Sequence, residues 1–137
     1  MPYTWNSLRF EPPAGLVDQT VLSLVDNAEQ PTFTITIAND PRGGQAFPAY
    51  VEAQLQDLAR SLPGYESKSR KDDKVAGNAA VVVEHKARSP QGQAMRQKQA
   101  YVDAGAAVAI ITITCADKAH PKADEAFAQI LKSLGAP

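Results

Sequence analysis

The sequence predicts an α+β domain: an antiparallel β-sheet with two α-helices packed on one face. Three observations predict it. Two segments repeat apolar residues at helical spacing. One runs from Ala46 to Tyr65 with Phe47, Tyr50, Val51, Leu55, Leu58 and Leu62 on one side; the other opens at Pro121 and carries Ala123, Phe127, Ile130, Leu131 and Leu134. Several other segments alternate with the period of two that marks strands. Hairpin-length connections such as Ser89-Pro90-Gln91-Gly92 and Asp103-Ala104-Gly105 favour antiparallel neighbours. A chain of 137 residues forms one domain, 1–137, large enough for a single core, and nothing in it repeats.

Taken in order, Tyr3 to Trp5 and Leu8 to Phe10 read as two short strands about a tight Asn6-Ser7 turn. Thr20 to Val25 alternates weakly, with Val21, Ser23 and Val25 on one face and Leu22 and Leu24 on the other; both faces are expected to be partly covered. Thr32 to Ala38 is the cleanest strand. Phe33, Ile35 and Ile37 should face the helices, leaving Thr32, Thr34 and Thr36 for solvent or a partner. The first helix stops at Leu62-Pro63-Gly64, since Pro cannot continue the turn and Gly tolerates the reversal. Gln54 falls inside its apolar stripe, so it lies either at the stripe's edge or against a partner, an unpaired buried amide costing about 1–3 kcal/mol.

Ser67 to Lys74 is dense in charge and reads as a solvated strand end and turn. Asn78 to Arg88 is a strand with His85 on the face of Val81 and Val83. In Ala94 to Val102, Met95, Gln97, Gln99 and Tyr101 line one face; Arg96, Lys98, Ala100 and Val102 line the other. The first set can bond amides and pack apolar groups. Ala106 to Cys115 is nearly continuous in apolar residues, as a central strand is. Pro121 opens the last helix where its missing N–H costs nothing.

Composition narrows the function. A net charge of −1 supplies no broad basic surface for phosphate neutralisation, so nucleic acid is not an expected partner. Cys115 is the only cysteine, which excludes an intrachain disulfide and a Cys-based zinc site; no metal or cofactor is expected. The first residues lack a basic segment followed by an apolar run, and Ala104 to Ile111 is too short to span a bilayer. A soluble, cytoplasmic protein without direct membrane insertion is the expectation.

Catalytic patterns are missing. There is no G-x-S-x-G, P-loop, H-E-x-x-H or dinucleotide fingerprint. The two histidines, His85 and His120, read as an ordinary hydrogen-bonded residue and a helix-terminal group, and Asp72 and Asp73 sit in a charged turn. The chain is read as a binding protein, not an enzyme. A deep pocket bringing His85 or His120 to carboxylates would reverse that reading.

Further residues resemble a known family. The helix Tyr50-Val51-Glu52-Ala53-Gln54-Leu55 closing in Leu62-Pro63-Gly64-Tyr65 is similar to the DcrB-like domain, in particular the Eag chaperones of type VI secretion. So are Asp18-Gln19-Thr20 entering a strand, Gly77-Asn78-Ala79-Ala80 opening another, and Arg96-Gln97-Lys98-Gln99 in a third, in order from Tyr3 to Leu134. The resemblance implies a DcrB/Mog1-like fold and a cytoplasmic homodimer with a cupped, partly apolar groove. It implies binding of the N-terminal transmembrane helices of a PAAR- or Rhs-containing effector, which the chaperone shields before loading onto the VgrG spike. The family's groove positions fall on Val21, Ser23, Gln54 and Gln99, with Gln97 on the same strand face as Gln99. The family prefers an aliphatic residue where this chain has Ser23, so either the client differs or Leu22 and Leu24 serve after a register change. Both glutamines could instead bond within the fold or across the dimer. The alternative function is a DcrB-like binding or structural module unrelated to secretion.

Overall fold

The computed structural model describes residues 3–5, 8–16, 18–118 and 120–135. Among them the chain forms β1 (Tyr3–Trp5), β2 (Leu8–Phe10), β3 (Val21–Val25), β4 (Phe33–Pro41), α1 (Phe47–Ser61), β5 (Glu66–Val75), β6 (Asn78–Arg88), β7 (Ala94–Asp103), β8 (Ala107–Ala116) and α2 (Pro121–Ser133). β1 and β2 pair with each other, while the other strands form an antiparallel sheet in the order β3-β4-β8-β7-β6-β5. The expected Asn6-Ser7 turn lies outside the described residues. α1 carries the chain from β4 to the far edge, and β5 to β8 return as a meander until β8 pairs with β4.

The α+β class, the antiparallel sheet and both helices are as the sequence predicts. Their placement on one face is not. α1 packs through Phe47, Tyr50 and Val51 on Val81, Val83, Tyr101 and Val108. α2 packs through Ala123 and Phe127 on Ala80, Ala100, Val102, Ile111 and Ile113. Val81 and Ala80, or Tyr101 and Ala100, are strand neighbours and point to opposite faces, so the helices straddle the sheet. The physical reason is in β6, β7 and β8: their inner halves are apolar on both faces, and two apolar faces need two covering layers. Burying β8 on both sides, with Val108 and Ile111 fully enclosed, makes it the central strand its composition suggests.

Local chemistry explains the boundaries. Pro48 stands in the first turn of α1, where a missing N–H costs nothing. The helix ends when the Leu62 N–H bonds the Leu58 carbonyl at 3.0 Å, and the chain reverses at Gly64, whose φ is +65°. A Cβ there would meet Arg88 Cγ at 3.2 Å, so both the backbone and the space favour glycine. α2 opens at Pro121 with His120 as its cap, the His120 Nδ1 accepting the Ala123 N–H at 3.2 Å.

Two expectations about edge strands are corrected. Ser67 to Lys74 is not a strand end and turn but the body of β5, exposed on both faces, with the turn at Ala76-Gly77. Its run of charged side chains, Arg70 to Lys74, suits an edge that must not recruit further strands. β3, the opposite edge, was expected to be partly covered on both faces. Instead Val21, Leu22, Leu24 and Val25 are each 43–52% exposed. No helix reaches over this edge, because α1 lies toward β6 and β7, and α2 leaves only an open groove of about 260 Å³ beside Leu24 and Ile35.

Candidate functional site

Antiparallel pairing aligns residues in transverse rows that share a face. On the α1 face one row runs Val21, Ala38, Ile110, Tyr101 across β3, β4, β8 and β7. The next runs Ser23, Thr36, Thr112, Gln99, and the third Val25, Thr34, Thr114, Gln97. None of these residues is charged. α1 and its cluster occupy the β6 and β7 side, reaching β8 only at Val108 and Ile110. Apart from the Tyr50 hydroxyl on Asp40, no helix among the described residues packs on the rest, from β8 to β3. It spans two strand spacings, about 10 Å, close to the 10–12 Å diameter of one α-helix.

The register sets Val21, Ser23, Gln97 and Gln99 on one face of the sheet. Their states differ. Val21 is exposed on the edge strand. Gln99 is buried: its Oε1 accepts the Tyr101 hydroxyl at 2.8 Å and its Nε2 donates to Thr112 Oγ1 at 3.1 Å. Gln97 is half-buried, its Nε2 donating to Thr114 Oγ1 at 3.0 Å and its Oε1 lying 2.7 Å from His85 Nε2. Because that oxygen can only accept, Nε2 carries the His85 proton, and Nδ1 is a bare, buried nitrogen with no partner among the described residues. Burial pushes the His85 pKa below the usual imidazole range, against the smaller opposing effect of the Gln97 bond. Tyr65 stacks at a tilt on the same ring, centroids 5.1 Å apart.

Gln54 is placed by α1. Glu52 ion-pairs with Arg70 on β5, marking the flank that faces the charged edge. The Tyr50 hydroxyl donates to Asp40 on β4, marking the opposite flank. Gln54 lies one turn beyond Tyr50 on that second flank and is half-buried, so it borders the uncovered strip. Burial and the Asp40 carboxylate both raise the Tyr50 pKa, which keeps this anchor protonated.

Among the described residues the other titratable groups lie in separate clusters. His120 Nδ1 is occupied by the Ala123 N–H, so Nε2 donates to the Thr32 hydroxyl at 2.9 Å. Thr32 in turn donates to Asp26, whose pKa is pushed down to about 2 by that hydrogen bond. The Asp26–Thr32–His120 chain ties the β3–β4 loop to α2; with its lone pair in use, His120 cannot serve as a base toward Thr32. Asp72 and Asp73 lie on opposite faces of β5. Among the described residues no three His, Cys, Asp or Glu side chains cluster as metal ligands, and no helix is long and apolar enough to cross a membrane. Cys115 is buried with the Arg96 guanidinium 3.6 Å from its sulfur.

The DcrB family model matches residues 8–133. The chain belongs to the DcrB family. This DcrB-family chain is 26% identical over 136 residues to Effector EagT6 of Pseudomonas aeruginosa, covering 96% of itself and 93% of that protein. Its structure matches the crystal structure of PA94, a protein of unknown function from Pseudomonas aeruginosa, with a TM-score of 0.82 at 26% identity, covering 100% and 96% of the two chains. A more distant fold likeness, TM-score 0.55 at 17% identity, joins it to LpqN of Mycobacterium tuberculosis, involved in cell envelope biogenesis; it covers 81% of this chain and 65% of that one.

Sequence reasoning missed Thr112, Thr114 and His85 as members of the site. The alternation in Ile111-Thr112-Ile113-Thr114-Cys115 carries a signal, since it sets both threonines opposite the isoleucines. Their pairing with Gln99 and Gln97 depends on the β7–β8 register, which no residue pattern prints.

Proposed function

We propose that this chain is a non-catalytic chaperone of a type VI secretion effector. It binds and shields the effector's N-terminal transmembrane helices in the cytoplasm, before a PAAR- or Rhs-containing effector is loaded onto the VgrG spike. VgrG is reached only through the effector. The carrying observation is the strip between α1 and β3, uncharged across three rows and as wide as one helix, with Val21 and Ser23 on its floor and Gln54, Gln97 and Gln99 along its α1 side. A transmembrane helix brought into water exposes apolar area worth about 25 cal/mol per Å², and an uncharged half-apolar strip can cover part of it. The similarity to Effector EagT6 supports the assignment to secretion.

The working unit is a homodimer in this reading. β3 exposes Val21, Leu22, Leu24 and Val25 on its two faces, more apolar surface than an edge strand leaves in water. A second copy along this edge would cover it and extend the strip into a cup. Leu22→Lys with Leu24→Lys is expected to give a monomer in sedimentation.

Co-expression tests the function. An effector segment carrying N-terminal membrane helices, made with this chain, is expected to stay soluble and to co-purify in fixed stoichiometry. Failure to associate with any such segment contradicts the reading.

A further inference from the structure

Two hydrogen-bond chains cross the α1 face side by side. One runs from the Tyr101 hydroxyl to Gln99 Oε1 (2.8 Å) and from Gln99 Nε2 to Thr112 Oγ1 (3.1 Å). The other runs from His85 Nε2 to Gln97 Oε1 (2.7 Å) and from Gln97 Nε2 to Thr114 Oγ1 (3.0 Å). Each begins at a fully buried ring and ends on a half-buried threonine at the floor of the open strip. Each threonine oxygen accepts from its glutamine, and no acceptor among the described residues takes either threonine's own proton. An oxygen that accepts is a better donor in turn, because hydrogen-bond chains polarise along their length. The outcome is two O–H donors on one strand.

Their spacing is specific. Thr112 and Thr114 are two residues apart on β8, about 6.7 Å. Positions i and i+4 of an α-helix are separated by about 6.0 Å along its axis. A helix lying along β8 therefore meets both donors with groups one turn apart. The surrounding rows hold no charged side chain, with Val21, Ala38 and Ile110 on one side and Val25 at the edge. The complementary ligand is uncharged and mostly apolar.

We propose that Thr112 and Thr114 are the specificity-determining groups of this face. They select an otherwise apolar helix that carries Ser or Thr at two positions one turn apart, over a uniformly aliphatic helix. Gln97 and Gln99 are positioning residues that act through them. A client Ser or Thr hydroxyl bonded back to its own helix keeps a lone pair to accept the threonine proton. A leucine in its place buries the threonine hydroxyl unpaired, which weakens binding about tenfold per site. This inference rests on the helix-binding reading above.

The test titrates the full chain with two detergent-solubilised Leu/Ala helices, one of them bearing serines at i and i+4. The intact protein is expected to bind the serine helix at least about tenfold more tightly. Thr112→Val with Thr114→Val should erase that preference, and Thr112→Ser with Thr114→Ser should keep it even if the valine pair destabilises the fold. Equal affinity of the intact chain for both helices overturns the inference and leaves the helix-binding reading in place, as does a preference that survives in a folded valine variant. Binding of neither helix overturns both.

Discussion

The two faces of the sheet are built from the same strands and solve different problems. Under α2, the apolar residues of β4, β6, β7 and β8 meet Ala123, Phe127, Ile130, Leu131 and Leu134. The polar margin of that face is closed by ion pairs: Asp124 lies 3.2 Å from both Arg96 and Lys98, and Glu84 stands 4.0 Å from each. Under α1, only the β6–β7 side is covered, and the remainder is a floor of threonine, serine and valine, of which Thr112 and Thr114 accept the amides of Gln99 and Gln97. One face closes a core with charge and grease; the other keeps an uncharged surface ordered and open. Rigid side chains on an uncovered floor are what a binding surface needs, since less freedom is lost when a partner arrives.

Mutations can break that contrast. The largest effect is expected from Phe127→Ala, about 3–5 kcal/mol of lost stability by denaturant unfolding, because it empties the α2 core. Thr36→Ala, on the open floor, should change stability by less than about 0.5 kcal/mol. A comparable loss at Thr36 would mean the floor is part of the core.

The two glutamines separate next. Gln99→Ala removes the acceptor of a buried tyrosine hydroxyl and is expected to cost about 1–3 kcal/mol. Gln54→Ala, at the border of the strip, should leave the unfolding midpoint within about 0.5 kcal/mol of the parent. If Gln99→Ala were equally silent, the internal chain would not hold in solution.

Acid should distinguish the faces as well. Burial holds the folded pKa of His85 below its unfolded value of about 6.5, so the unfolded chain takes up the proton first. Stability from the neutral ring is complete above about pH 6.5 and declines as pH falls below it. Around Asp124, burial raises the pKa, but the bonds to Lys98 and Arg96 outweigh it and hold the carboxyl below its usual range. That contribution survives until the carboxylate range and is lost only as pH falls through it. Unfolding midpoints against pH should show the first decline in the parent and not in His85→Phe.

A gain rather than a loss is expected at the β5–β6 turn. Ala76 has φ +54° and Gly77 φ +78°, the two left-handed positions of a two-residue hairpin. Ala76→Asn is expected to raise stability by about 0.5–1 kcal/mol, since asparagine tolerates that region better than alanine.

Much of this was legible in the residues. The helix stripes, the alternation of Met95 to Tyr101 and the dense apolar run of β8 specified their elements because each is a local pattern. The faces of the helices were not legible, since hairpin lengths say which strands pair but not which side a connecting helix takes. β5 was under-read because a solvated edge strand has no apolar period, only charge. The groove positions Val21, Ser23, Gln54 and Gln99 came from resemblance and Gln97 from the alternation of its strand, and the register sets Ser23 and Gln99 in one row. Their internal bonds came from neither, because β4–β8 and β7–β8 pairing joins residues distant in the chain.

Backbone amide exchange on the full chain, with and without a soluble complex of an apolar client helix, tests the central claim most directly. The account predicts new protection in Val21–Val25, Thr34–Ala38 and Ile110–Thr114, and in the Gln54 turn of α1, with α2 unchanged. Protection centred on α2 and the Arg96–Asp124 cluster, or no change on the open strip, would contradict it.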